Sequence, residues 1–250
     1  MRNLEGKKAV VTGGSRGIGA ASAAALAASG AQVLLTWRQS QSAAEKVVEK
    51  IRAAGGQAGC AQLEATSPSS VAELAARARS ELGRVDVLFN NAGDLVRRTM
   101  LDRLTPELVR EILDVNVLST VLVTQSLLPF IPSGGVIINM ASVAARSGGG
   151  PGASVYGAAK AAVLGLTRGW AIELGPRGIR VFAVAPGIIE TDFHRRHSTP
   201  EFLQQAARAS RVGKNGTPED VARAVVYLAG EGGGFMTGVT IDISGGLVFP

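Results

Sequence analysis

The chain has 250 residues, 46% of them hydrophobic and 18% charged, with a formal net charge of +6; such a core-rich composition excludes a disordered or coiled chain, and the length suits one parallel α/β domain spanning residues 1–250. A single cysteine, Cys60, excludes an intrachain disulfide, and with only two histidines it forms no common zinc site without carboxylate help. Lys and Arg are dispersed, without interleaved aromatics, so the basic excess points to an anionic cofactor or substrate rather than to nucleic acid.

Residues 1–8 are polar and lead straight into an apolar strand, and consecutive apolar runs stay short of the roughly 20 residues a membrane span needs. No secretory signal or membrane span is therefore expected, and the location is expected to be cytoplasmic. In chain order, the patterning predicts a strand at 7–12, helix 17–29, strand 32–37, helix 42–54, strand 57–63, helix 69–82 and strand 85–90. A long helix follows at about 105–129, then strand 136–141, helix 154–174, strand 180–185, a variable region from 188, helix 218–230 and a last strand near 239–243. Strand and helix alternate throughout, which predicts right-handed crossovers and one doubly wound parallel sheet of about seven strands, with helices on both faces. Ligands in such sheets bind beyond the carboxyl ends of the strands.

Candidate functional residues fall at those ends. The first strand passes into Gly13-Gly14-Ser15-Arg16-Gly17-Ile18-Gly19 and then an alanine-rich helix. A glycine turn before a helix can let a phosphate approach free amides; it can also be only a turn. The second strand ends at Trp37-Arg38, where a dinucleotide-binding unit meets the adenosine ribose. Arg38, with Arg16, suits a 2′-phosphate, since guanidinium pairs with phosphate bidentately; the bland alternative is a solvated helix cap. Asn90-Asn91-Ala92-Gly93 closes the fourth strand, and Arg97 and Arg98 beyond it are either a solvated loop or a positive lip for an anionic substrate. Asn116 lies in an apolar helix, where its amide must satisfy a backbone group or hold a water or kink. Ser142 follows the fifth strand. Tyr156 and Lys160 are one helical turn apart, on one face. A nearby ammonium lowers a phenol's pKa, which would make the pair an acid/base couple.

Taken together, these residues resemble the short-chain dehydrogenase/reductases, most closely the 3-oxoacyl-acyl-carrier-protein reductase branch. The matching motifs are the glycine turn from Thr12, Asn90-Asn91-Ala92-Gly93, Asn116, Ser142, Tyr156 with Lys160, and Pro186-Gly187 with Thr191, in the family's order over nearly the whole chain. The resemblance implies a Rossmann-type sheet, usually a homotetramer, and hydride transfer between NADP(H) and a carbonyl or carbinol carbon. It implies that Ser142 polarises the substrate oxygen and Tyr156 exchanges the proton. Lys160 would hold the nicotinamide ribose and depress the tyrosine's pKa, and Asn116 would support a relay water. Pro186, Gly187, Ile189 and Thr191 would border the carboxamide.

Some residues depart from the family pattern. Glu64-Ala65 replaces the usual Asp-Val near the adenine, Phe182 replaces an asparagine before Pro186, and the glycine-rich loop between Ser142 and Tyr156 is one residue longer than in many relatives. In the variable segment, His194, Arg195, Arg196 and His197 are either an anion-attracting cluster or solvated helix-end charge. Residues 128–133 lack the bases expected for docking an acyl-carrier protein, with Arg177 the one matching base. Competing functions are an NAD-dependent secondary-alcohol dehydrogenase, a cofactor-binding regulator without turnover and a nucleic-acid binder.

Overall fold

The computed structural model describes residues 3–249. Strands β1 (Lys8–Val11), β2 (Gln32–Trp37), β3 (Gln57–Gln62), β4 (Val87–Asn90), β5 (Val136–Met140), β6 (Arg180–Pro186) and β7 (Thr240–Ile243) form one sheet. All neighbours pair in parallel, in the order β3-β2-β1-β4-β5-β6-β7. The central strands are nearly continuous apolar runs because both faces are covered. Val11, Leu35, Phe89 and Ile138 enter one core, and their neighbours Val10, Leu34, Leu88 and Ile137 enter the other, as the alternation of a pleated strand requires.

Helices α1 (Gly17–Ala28), α2 (Gln41–Ala53), α3 (Pro68–Leu82), α4 (Pro106–Leu113), α5 (Ser119–Leu127), α6 (Ala144–Ser147), α7 (Ser154–Leu174), α8 (Asp192–His197), α9 (Pro200–Ala209) and α10 (Pro218–Ala229) complete the fold. Residues of α1, α2 and α10 build the first core; residues of α3, α5 and α7 build the second. The helix starts have local causes. Ser67, Thr105 and Thr199 each accept a hydrogen bond from the amide three residues on, with proline at the first helical position. Thr217 and Asp220 form a reciprocal capping box at α10.

Three features differ from the periodicity reading. The predicted long helix is interrupted: a five-residue π-helical segment, Asp114–Leu118, joins α4 to α5, and Asn116 lies inside it. The variable region holds α8 and α9, and the glycine-rich loop opens with the short α6. The third concerns the run Pro106–Phe130, which by length and composition would be long and apolar enough to span a membrane, although its consecutive apolar stretches are short. A core helix passes the same test, and Val123 and Leu127 of this run are buried in the second core.

Sheet order places the site. The chain steps outward from β1 to β3, then returns to lay β4 against the opposite side of β1, and such a reversal opens a crevice beyond the carboxyl ends of the two strands.

Candidate active site

A cavity of about 790 Å³ occupies that crevice, within the range of ligand and cofactor sites. Ser142, Tyr156, Lys160 and nearly all of the candidate cofactor-binding residues line it, whereas Gly14, Asn90, Arg97 and Arg195 are not part of its lining and Asn116 is completely buried behind it. The turn between β1 and α1 forms one end. Thr36 Oγ1 accepts from the Gly13 amide at 3.1 Å, and Thr12 Oγ1 accepts from the amides of Asn91 and Ala92, each at 3.0 Å. Asn91 does not offer its amide to the cavity: its Nδ2 donates to Thr12 O and Gly13 O, at 2.9 and 3.1 Å. It braces the glycine turn, and a Cβ on Gly19 would stand 2.6 Å from that nitrogen. Only glycine lets the helix start so close to the brace. Ser15, Arg16, Gly17 and Ile18 carry this wall to α1. Trp37, exposed Arg38 and Glu64 continue it past β2 and β3. Glu64 Oε1 accepts from the Thr66 hydroxyl at 2.9 Å, so this carboxylate is engaged locally.

At the other end, Ser142 leaves β5, and Tyr156 and Lys160 come from the first turns of α7. Lys160 is 3% exposed and its Nζ donates to Met140 O at 2.8 Å, while standing 5.7 Å from the centre of the Tyr156 ring. The two groups do not titrate as their spacing suggests. Burial pushes the Tyr156 phenol up to about 12, offset in part by a hydrogen bond with Ser142 and reinforced by the Asp94 carboxylate. Burial also pushes Lys160 down to about 8, with Asp94 acting the other way. The expectation of a phenol made acidic by its neighbouring ammonium is thus corrected: here the loss of water around both groups outweighs their mutual charge. Tyr156 holds its proton at neutral pH.

Asn116 is reached through Gly93. Its Nδ2 donates to Asp94 O at 2.6 Å and to Ile112 O at 2.9 Å, whereas its Oδ1 is buried with no hydrogen-bond partner among the described residues. A Cβ on Gly93 would stand 2.6 Å from that Oδ1 and 3.1 Å from Lys160 Nζ. Glycine at this position is what lets the β4 loop close over both groups.

Beyond β6, Pro186 O accepts from the Val143 amide at 3.1 Å and the Gly187 amide donates to Ile243 O at 3.0 Å, which fixes the floor of the crevice. Ile189 is buried, its carbonyl accepting from Thr191 Oγ1 at 3.2 Å. The helix α8 then folds over the opening. Phe193 lies 6.0 Å from the Tyr156 ring, and His197 lies 4.9 Å from Phe193. The basic cluster of this helix is not wholly solvated. Arg196 and His197 pair with Asp94, and burial, with Arg98 and His197 nearby, pushes His194 down to about 4. Asp94 and Phe193 are site residues that the sequence reading passed over. The signals for them were a carboxylate directly after Gly93 and an aromatic set among four bases.

Comparison with known proteins bears on the fold and the family. A family profile described as "Enoyl-(Acyl carrier protein) reductase" matches residues 13–248. A 3-oxoacyl-[acyl-carrier-protein] reductase from Synechocystis is 39% identical over 251 residues, covering 99% of this chain and 99% of the relative. Among solved structures, a short-chain dehydrogenase from Burkholderia cenocepacia in complex with NADP is 38% identical with a TM-score of 0.90, covering 98% of this chain and 99% of that one. A blue fluorescent protein from a metagenomic library, in complex with NADPH, is 36% identical with a TM-score of 0.92, covering 99% and 100%.

Proposed function

Since the chain belongs to the short-chain dehydrogenase/reductase family, we propose that it is an NADP(H)-dependent carbonyl reductase acting on a ketone or, in reverse, a secondary alcohol. The observation that carries the reading is the convergence, in one cavity, of a braced glycine turn at one end and Ser142, Tyr156 and Lys160 at the other. The residues fit a dinucleotide phosphate. The turn is kept free of side-chain bulk at Gly19, and Arg16 and Arg38 stand at its edge, where a 2′-phosphate would find guanidinium rather than a repelling acid. The unpartnered Asn116 Oδ1 supports its role as the acceptor for a relay water.

When bound, the nicotinamide would supply the hydride to the carbonyl carbon. The chain's own groups handle the oxygen. Ser142 acts on the Tyr156 phenol, lowering its pKa, and both side chains line the same cavity; a carbonyl oxygen bound between them would be polarised by Ser142. Tyr156, protonated at neutral pH, would release its proton to that oxygen as negative charge develops. Lys160, held at Met140 O, would bind the nicotinamide ribose and provide positive charge that favours the phenolate left behind. Asn116 would pass a replacement proton inward through its water.

A 3-oxoacyl thioester is the second reading, favoured by the name of the Synechocystis relative. Docking of a carrier protein is disfavoured, because residues 128–133 carry no basic side chain and Arg177, whose Nη2 donates to Leu128 O, is the one matching base. We expect a cytoplasmic homotetramer; exposed Ile172, Tyr227 and Phe235 offer apolar surface for assembly.

The test is NADPH oxidation by the purified protein against acyl thioesters, simple ketones, sugars and cyclic ketones. At least one carbonyl should be consumed, and Tyr156→Phe should bind NADPH yet turn over about 10²- to 10⁴-fold more slowly. No oxidation across the panel would favour the regulator without turnover. A near-normal Tyr156→Phe rate would remove the tyrosine as proton donor.

A further inference from the structure

The Asp94 carboxylate has no part in the proton transfer just described, yet it sits where three pieces of the site meet. Asp94 follows Gly93 at the end of β4 and lines the cavity. Its Oδ1 is 3.0 Å from His197 Nε2 and its Oδ2 accepts from Arg196 Nη1 at 3.1 Å. Both partners lie on α8, about a hundred positions later in the chain. Burial works to raise this carboxyl, but Arg196 and His197 hold it below its ordinary value. The backbone carbonyl of the same residue accepts from Asn116 Nδ2 at 2.6 Å.

The residues around it make the contact consequential. His197 packs on Phe193, and Phe193 packs on Tyr156, so whatever holds His197 also holds the cover over the phenol. Arg98 adds a second tie, with Nε donating to His197 O at 2.8 Å and Nη1 to Pro151 O at 2.9 Å. Helix α8 has six residues, far below the length at which an isolated helix persists in water. Its place is therefore set by contacts from elsewhere in the chain, and Asp94 supplies the carboxylate that pairs with Arg196 and His197 beside the tie from Arg98.

We infer that Asp94 is a positioning residue: its side chain fastens α8 over Tyr156 through Arg196 and His197 while its carbonyl fixes the Asn116 amide, so lid closure and the proton-relay residue are set from one point. Removing the carboxylate loosens the lid, and with it the substrate's fit, without disturbing the glycine turn at the other end of the cavity. The kinetic side of this inference rests on the carbonyl-reductase reading; the lid side does not.

The experiment compares the full-length parent with Asp94→Asn, Arg196→Gln and the double variant. It measures amide hydrogen exchange over residues 192–198, the NADPH dissociation constant, and KM and kcat for the best carbonyl of the panel. In Asp94→Asn, exchange in α8 and KM should each rise about tenfold, the size of one charge-assisted hydrogen bond, with the NADPH dissociation constant little changed. The double variant should be no worse than the poorer single one, because both remove the same contact. Asp94→Glu should restore part of the protection. Unchanged exchange in Asp94→Asn, single-variant effects that simply add, or a loss confined to NADPH binding would each overturn the assignment. Should Asp94→Asn not fold, Arg196→Gln with His197→Gln makes the same test from the lid side. A protein that reduces no carbonyl would defeat the proposed function, and the exchange measurement would still decide the role of Asp94.

Discussion

Tyr156 and Lys160 stand one helical turn apart, but water exclusion governs their titration more than proximity does. The folded protein holds Lys160 at about 8 against an ordinary value of 10.5, so between those values the unfolded chain binds more protons than the folded one. Stability from this group therefore rises with pH across that window. Tyr156, pushed up to about 12, acts in the opposite sense, but only above pH 10. Melting temperatures of the parent and Lys160→Met, compared without cofactor from pH 7 to pH 10, should thus diverge in the parent's favour as pH rises. A difference that stays flat would mean that the lysine is not held down by burial. Arg38 is exposed at the cavity edge, and its proposed partner is a phosphate present in NADPH and absent from NADH. Arg38→Asp should lower kcat/KM for NADPH about 10- to 100-fold, the scale of a charged hydrogen bond, and change NADH use far less. Equal losses with both would refute the 2′-phosphate assignment.

At the scale of elements, the β4 loop and the helix run 106–130 work as a pair. Asn116 lies in the π-helical segment, and its amide reaches 22 positions back to Asp94 O as well as one turn back to Ile112 O. A π segment inside a helix is a frequent mark of a functional position. The dilemma posed by an amide among Val115, Val117 and Leu118 thus resolves toward backbone carbonyls for both amide hydrogens, with the oxygen left without a partner among the described residues. Gly93 is the matching half. A methyl group there would meet Asn116 Oδ1 and Lys160 Nζ at once, and overpacking of this kind costs about 1–3 kcal/mol. Gly93→Ala should therefore lower the melting temperature and also reduce turnover with the best carbonyl, since its Cβ would press on two site residues. Unchanged stability together with unchanged turnover would show that the loop yields without moving them. Glycine at position 93 reads in the sequence as a turn residue; that it is also a clearance for Lys160 emerges only when α7 is packed against the loop.

For the whole molecule, the order of the strands decides where chemistry can occur. Glycine turn, Asn-Asn-Ala-Gly loop, Ser142 and Pro186-Gly187 are spread over some 170 positions, and each follows a strand. One parallel sheet with a reversal between β1 and β4 gathers them at one edge. Much of this was legible beforehand, because it rests on short-range patterns: apolar runs bounded by glycine, alternation of strand and helix, two residues four apart on a helix. Strand and helix positions accordingly agree to within a few residues over most of the chain. What was not legible depended on partners distant in sequence. The π segment answers to Asp94 O, and α8 answers to Asp94 and Arg98, so neither has a periodic signal of its own.

The amino-acid sequence alone determined the alternating α/β plan and the seven strands, since these follow from interactions within a turn or two of chain, and its spaced motifs carried the family and most of the candidate residues, though not Asp94 and Phe193. The tertiary structure alone decided the protonation of Tyr156 and Lys160, the brace role of Asn91 and the fastening of α8 by Asp94. Those depend on how much water is excluded and on which groups meet across a hundred positions, and both quantities come into being only when the layers pack.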